Sequence, residues 1–143
     1  MRKSLFIVLS CAFLVIQGIA YQFNTNTKYG KLQQECIKNV GKSCQAVVDG
    51  CKIKRIGNAC EAQYSLGTIL ITKSTFGGGD AESGVFGLNL AKEAYKIGCK
   101  ELKHKNTCEL DRQFFEKVMY DDVPPGIRGG VEWIEETIHG EYD

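Results

Sequence analysis

Cysteine spacing constrains this chain more than any other feature. Three frames of one kind recur, Cys36 to Cys44, Cys51 to Cys60 and Cys99 to Cys108, each a pair of cysteines with seven or eight residues between them. The second and third align without a gap. "GCKIKRIGNACE" (Gly50 to Glu61) and "GCKELKHKNTCE" (Gly98 to Glu109) both open on Gly-Cys-Lys. Both carry Asn two residues before the second Cys and close on Cys-Glu, at a constant offset of 48 positions. "ECIKNVGKSCQ" is a shorter echo. Self-similarity at such a period is the mark of a repeat architecture.

The spacing has a physical reading. A helix ends near the first Cys, the chain turns over a few polar residues, and a second helix starts at the next Cys. Gly57-Asn58, His104-Lys105-Asn106 and the segment 39–42 supply the turn residues, since Gly and Asn tolerate the left-handed backbone that ends a helix. Ser43 and Thr107 stand where an N-cap is wanted. If the helices are antiparallel neighbours, cysteines at their neck come within bonding distance. The preferred pairs are therefore Cys51–Cys60 and Cys99–Cys108, with Cys36–Cys44 third. Cys51 competes with Cys36 for Cys44, and non-local pairing stays open among the fifteen connectivities that six cysteines allow.

The first twenty residues place those cysteines in an oxidising compartment. Arg2 and Lys3 precede the apolar run Leu5 to Ile16, and Gly18-Ile19-Ala20 offers small residues for cleavage before Tyr21. The run is shorter than the roughly 20 apolar residues of a membrane span. Val8-Leu9-Ser10-Cys11 faintly resembles a lipobox, but Cys11 lies mid-run. Residues 1–20 are thus expected to be a signal peptide, and residues 21–143 one disulfide-bonded domain. Loss of Cys11 leaves an even six cysteines, as a secreted disulfide framework requires. Without Arg2 and Lys3 the basic residues nearly balance the 17 acids, so no basic surface calls for nucleic acid. Two histidines and no Cys-x-x-Cys make a zinc site a weak alternative.

Apolar residues at three-to-four spacing mark helices. Ala62, Leu66, Ile69 and Leu70 form one stripe, and Leu90, Ala91, Ala94 and Tyr95 a second. Leu110, Phe114, Phe115 and Val118 form a third, and Pro124-Pro125-Gly126 then breaks the chain. In "VEWIEETIHGEYD", Trp133, Ile134, Thr137 and Ile138 share a face opposite Glu132, Glu135 and Glu136, which reads as an end cap. "TILIT" is ambiguous between strand and helix, and residues 21–28 read as a flexible lead-in. The expected fold is all-α: antiparallel helical hairpins stacked as a short α/α solenoid and stapled by disulfides. Within it, Gly67 costs helix stability but lets a neighbouring helix approach closely.

These residues resemble the Sel1-like repeat family (TPR-like helical hairpins), in its cysteine-rich secreted form first known from Helicobacter. Leu66-Gly67 matches that family's Leu-Gly in the first helix, and "LAKEAYKIGC" (Leu90 to Cys99) partly matches its second-helix tract. The similarity covers Ala59 to about Cys108, with a partial unit before it. The family's Gly-x-Gly-Val loop is replaced by "STFGGGDAESGV". The resemblance implies a scaffold of the bacterial periplasm. It also brings an association with β-lactam binding or hydrolysis.

The residues give that chemistry little footing. Ser-x-x-Lys, Lys-Thr-Gly and Gly-x-Ser-x-Gly do not occur. "TFGGGDAESG" fails as a phosphate loop, because Val85 and Phe86 stand where Lys and Ser or Thr are needed. It reads as a helix–helix connection, with Asp80 or Ser83 near the next helix start; a calcium role for Asp80 and Glu82 is the alternative. No residue calls for a cofactor. The expected function is non-catalytic binding of a protein or peptide partner in the cell envelope. Tyr64, Phe76 and Tyr120 are candidate contacts, with the Lys52-Lys54-Arg55 and Lys100-Lys103-Lys105 clusters beside them. The alternatives are an enzyme acting on β-lactams or peptidoglycan, and an immunity or inhibitor protein guarding against a toxin.

Overall fold

The computed structural model describes residues 27–38, 42–77, 80–121, 126 and 128–140. The expected signal peptide (residues 1–20) and Pro124-Pro125 lie outside them, and Lys28, the last residue of the expected lead-in, already opens a helix. Helix is the regular structure of the described residues, with no strand among them. In chain order the helices are α1 (Lys28–Lys38), α2 (Lys42–Lys52), α3 (Gly57–Phe76), α4 (Ala81–Ala94), α5 (Lys105–Gln113) and α6 (Arg128–His139). Two of them end in wider, π-helical turns: α4 runs on through Tyr95–Glu101 and α5 through Phe114–Met119. "TILIT" is part of α3, where the long helical window outweighs a short β-branched run.

Cysteine sulfurs meet at disulfide distance in three pairs: Cys36 and Cys44, Cys51 and Cys60, Cys99 and Cys108, with Cα separations of 4.8, 4.5 and 4.9 Å. The turns flanked by the last two pairs repeat in three dimensions. The Ile56 N–H donates to Gly50 O at 2.9 Å, and 48 positions later the His104 N–H donates to Gly98 O at 2.7 Å. Lys54 to Asp49 and Leu102 to Ile97 are likewise equivalent bonds, at 3.0 and 2.8 Å. A Cβ at Gly50 would lie 2.7 Å from Ala59 Cβ, and one at Gly98 would lie 2.9 Å from Thr107, the residue equivalent to Ala59. Glycine at both places is what lets the second helix cross so close to the first.

The left-handed residue of each turn is not Gly or Asn. It is Arg55 (φ 58°) and Lys103 (φ 56°), again at equivalent positions. Gly57 and Lys105 already begin the following helices, whose N-caps are Ile56 and His104. Thr107 is therefore inside α5 rather than capping it; its hydroxyl meets His104 Nδ1 at 2.9 Å.

Helix α3 is the axis of the packing. Every residue from Ala59 to Ile69 is buried, because α1, α2, α4 and α5 all lie against it. Its polar residues are satisfied locally or across a seam: Thr72 Oγ1 donates to Thr68 O at 2.7 Å, and Gln33 Nε2 donates to Ser65 Oγ at 3.0 Å. Among the described residues, the buried side-chain polar atom left without a partner is Gln63 Oε1. Contacts fix the directions. Gly67 meets Gly87 and Ala91 while Ser74 meets Gly84, so α4 is antiparallel to α3. Tyr64 reaches Asp111 and Glu61 bonds Asn106, so α5 runs parallel to α3. The second and third stripes pack as expected, since Leu90, Ala91, Ala94, Tyr95, Leu110, Phe114, Phe115 and Val118 are all buried. In α6 the inward face is instead Val131, Ile134 and Ile138, three and four positions apart. Trp133 sits about 100° from Ile134 around the helix and is 59% exposed.

Candidate functional site

Two places in this bundle hold more than packing: an enclosed polar cluster and an open apolar groove. The cluster forms where α3, α5 and the end of α6 converge. Asp111 lies on the apolar stripe of α5, one turn before Phe114 and Phe115, so its carboxylate points into the core and needs donors there. The Tyr64 hydroxyl donates to Asp111 Oδ1. His139 Nε2–H reaches Oδ1 at 2.8 Å and Oδ2 at 2.7 Å. The His139 ring is held between Tyr95, with centroids 4.4 Å apart and planes tilted 31°, and Phe115 at 5.2 Å. Its Nδ1 stands 3.8 Å from Glu135 Oε2, and Glu135 Oε1 accepts from the Tyr120 hydroxyl at 2.6 Å. Burial, followed by the Glu135 carboxylate, pushes the Tyr120 phenol up to about 12.

This cluster overturns one expectation. Tyr64 is not a surface contact: its ring is fully buried, edge-on to Phe114 at 6.4 Å, and its hydroxyl is committed to Asp111. Tyr120 is half-buried and fastened to α6. Phe76 stays on the surface at 38% exposure. Neither Asp111 nor His139 stood out as a pair in the sequence, 28 positions apart. One signal was there: an acid on an apolar stripe calls for an internal partner. The Asp111 and His139 side chains keep 9 and 15% exposure, and their contact fastens the end of α6 to α5.

The groove lies where α3 turns into α4. Ile71, Ser74, Ala81, Val85, Leu88 and Trp133 border a cavity of about 200 Å3. Asp80 caps α4, accepting from the Ser83 N–H at 2.7 Å. That bond holds the Asp80 carboxyl below its usual range and fixes how α4 leaves the glycine-rich connection. The Ser74 hydroxyl donates to Asp80 O at 3.2 Å across the turn. The connection is therefore a capped helix start, and its acid is used on backbone. Val85 and Trp133 stand out at the rim of the groove at 55 and 59% exposure, whereas the exposed Phe86 lies well round α4 from the groove-lining positions. Glu82, Glu132 and Glu136 are exposed on the same helices, α4 and α6. Large side chains gathered like this mark contact surfaces more often than scattered ones do.

Among the described residues no three His, Cys, Asp or Glu side chains converge to hold a metal ion. No helix of those residues is long and apolar enough to cross a membrane. The chain matches no protein-family model, no curated protein and no solved structure.

Proposed function

We propose that the protein is an exported, non-catalytic binding scaffold of the cell envelope, built as a short Sel1-like α/α solenoid and acting in a bacterial periplasm. Three cysteine pairs at disulfide distance support the compartment, since such pairs persist where thiols are not kept reduced. Turns equivalent at an offset of 48 positions, together with α5 running parallel to α3, support the stacked-hairpin reading.

The single observation that carries the function is the apolar groove bordered by Ile71, Val85, Leu88 and Trp133, with Val85 and Trp133 exposed at its rim. The partner that fits it is an amphipathic segment of another protein. Its apolar side fills the groove, and its basic flanks face Glu82, Glu132 and Glu136. Aromatic anchors beside a pocket are what such contacts use for affinity.

The test is capture from envelope extract, run in parallel on the natural protein and on Val85→Ser/Trp133→Ser. One stoichiometric partner held by the first and lost by the second supports the reading. Equal capture by both, or none by either, overturns it.

A further inference from the structure

A second cavity, of about 420 Å3, opens on the flank of the molecule, between the end of α2 and the outer face of α4. Four cations surround it: Lys52 and Arg55 from the first neck, Lys92 from α4 and Lys96 from the π-helical turn that continues it. The cleft's two carboxylates are already engaged. Glu101 accepts from Arg55 at 2.6 Å, and Glu93 accepts from the buried Gln63 amide at 3.0 Å. Glu101 thus holds Arg55 in place and Glu93 is turned toward Gln63. Among the described residues Lys52 and Lys92 have no ion pair.

We propose that this cleft binds an acidic peptide segment with carboxylates at alternate positions. Its spacing supports this chemistry. Lys92 and Lys96, four positions apart where α4 passes into its π-helical turn, are neighbours on one face, about 5–6 Å apart at Cβ. An extended peptide presents every second side chain about 6.6 Å apart on one face, so two successive outward acids meet the two lysines. Lys52 faces the same cleft from α2. Asn89, one turn before Lys92, offers both a donor and an acceptor to a peptide backbone. Ile97 gives the cleft an apolar residue. No aromatic ring lines it, so the bases of a single-stranded nucleic acid would have nothing to stack on. A concave site also suits a peptide better than a flat anionic membrane. None of these residues belongs to the apolar groove, so the site stands apart from the partner surface proposed above.

The test is fluorescence anisotropy with the purified, oxidised protein and a labelled peptide of alternating Glu and Gly, at about 50 mM salt, where charges are weakly screened. Saturable binding is expected, falling roughly five- to tenfold in Lys92→Gln/Lys96→Gln, the combined effect of two partly exposed ion pairs. Trp133→Ser should bind as the natural protein does, which separates this site from the groove. All three lysines are on the surface, and circular dichroism confirms that the variants fold. The proposal is overturned if the peptide does not bind, or if a Gln-Gly peptide binds equally well. It is also overturned if the double variant binds unchanged, or if oligothymidine or anionic vesicles are preferred.

Discussion

Gly67→Ala puts a number on the closest seam in the molecule. A Cβ at Gly67 would stand 2.6 Å from Gly87 O, 2.8 Å from Ala91 N and 3.1 Å from Ala91 Cβ. The constraint is mutual, because a Cβ at Gly87 would lie 2.7 Å from Gly67 O and 2.6 Å from Leu70 Cβ. Alanine in mid-helix gains about 1 kcal/mol of propensity over glycine. Here the atoms in the way are backbone, which no rotamer change relieves, so α3 and α4 must part. Overpacking of that kind costs about 1–3 kcal/mol, and two backbone contacts under 3.0 Å put this case in the upper half of that range. It also loosens the neighbouring Ala91 contact on a seam buried along its length. We expect a net loss of about 1–2 kcal/mol, or a fall in Tm of roughly 5–10 °C for a domain this size. Gly130→Ala is the control, since nothing lies within 4 Å of a Cβ there. It keeps the propensity gain without the clash and should raise Tm slightly. Urea and thermal melts followed by helical circular dichroism measure both. A Gly67→Ala protein as stable as the natural one, or more so, would refute the close-packed seam.

Further perturbations separate the other interactions. Asp111→Ala leaves the Tyr64 hydroxyl and the His139 ring N–H without their acceptor, and should lower stability by about 2–4 kcal/mol in the same melts; an unchanged Tm would mean that the cluster contributes nothing. Burial, partly offset by a hydrogen bond from Asn106, raises the Glu61 carboxyl above its ordinary 4.5. The folded state therefore holds that proton longer than the unfolded chain does, and stability is lost as pH rises from 4.5 through the folded value. Glu61→Gln should thus gain on the natural protein across that window, and parallel stability–pH curves would contradict this. Burial lowers the His104 imidazole below 6.5. Its contribution is present above 6.5 and lost as pH falls, so the natural protein should weaken relative to His104→Gln in mildly acidic buffer. Lys103→Gly relieves a left-handed residue (φ 56°) and should stabilise by up to about 1 kcal/mol relative to Lys103→Ala, which keeps the strain.

Much of the architecture is legible in the sequence where one interaction dominates locally. Cysteines close in the chain can meet only if the helices beside them fold back, and Gly67 in a good helical window has a close neighbour as its reason. What is not legible depends on residues distant in the chain. Arg55 and Lys103 carry no turn propensity; they are left-handed because the wide backbone bonds to Gly50 and Gly98 place them there. The one-sided stripe of α3 understates its burial, since helices arriving before and after it enclose every face. Trp133 reads as a core residue by hydrophobicity, but the spacing of Val131, Ile134 and Ile138 turns it outward. Repeat-equivalent glutamates diverge for the same reason: Glu61 is buried against Asn106, whereas Glu109 is exposed and Arg112 holds it down to about 2. Of the charged clusters read along the chain, Lys52 and Arg55 reach the flank cleft, but Lys92 and Lys96 join them from another helix.

Peptide mapping of the unreduced protein tests the neck-by-neck construction most directly. Removing any one short-range link should cost about 2–3 kcal/mol for a closed loop of this length, so the bonds must be present and correctly paired for the stack to hold. We expect three cross-linked fragments, joining Cys36 to Cys44, Cys51 to Cys60 and Cys99 to Cys108. A link from Cys99 or Cys108 to any cysteine before Cys60, or free thiols at all six positions, would contradict the helical hairpins and every site built on them.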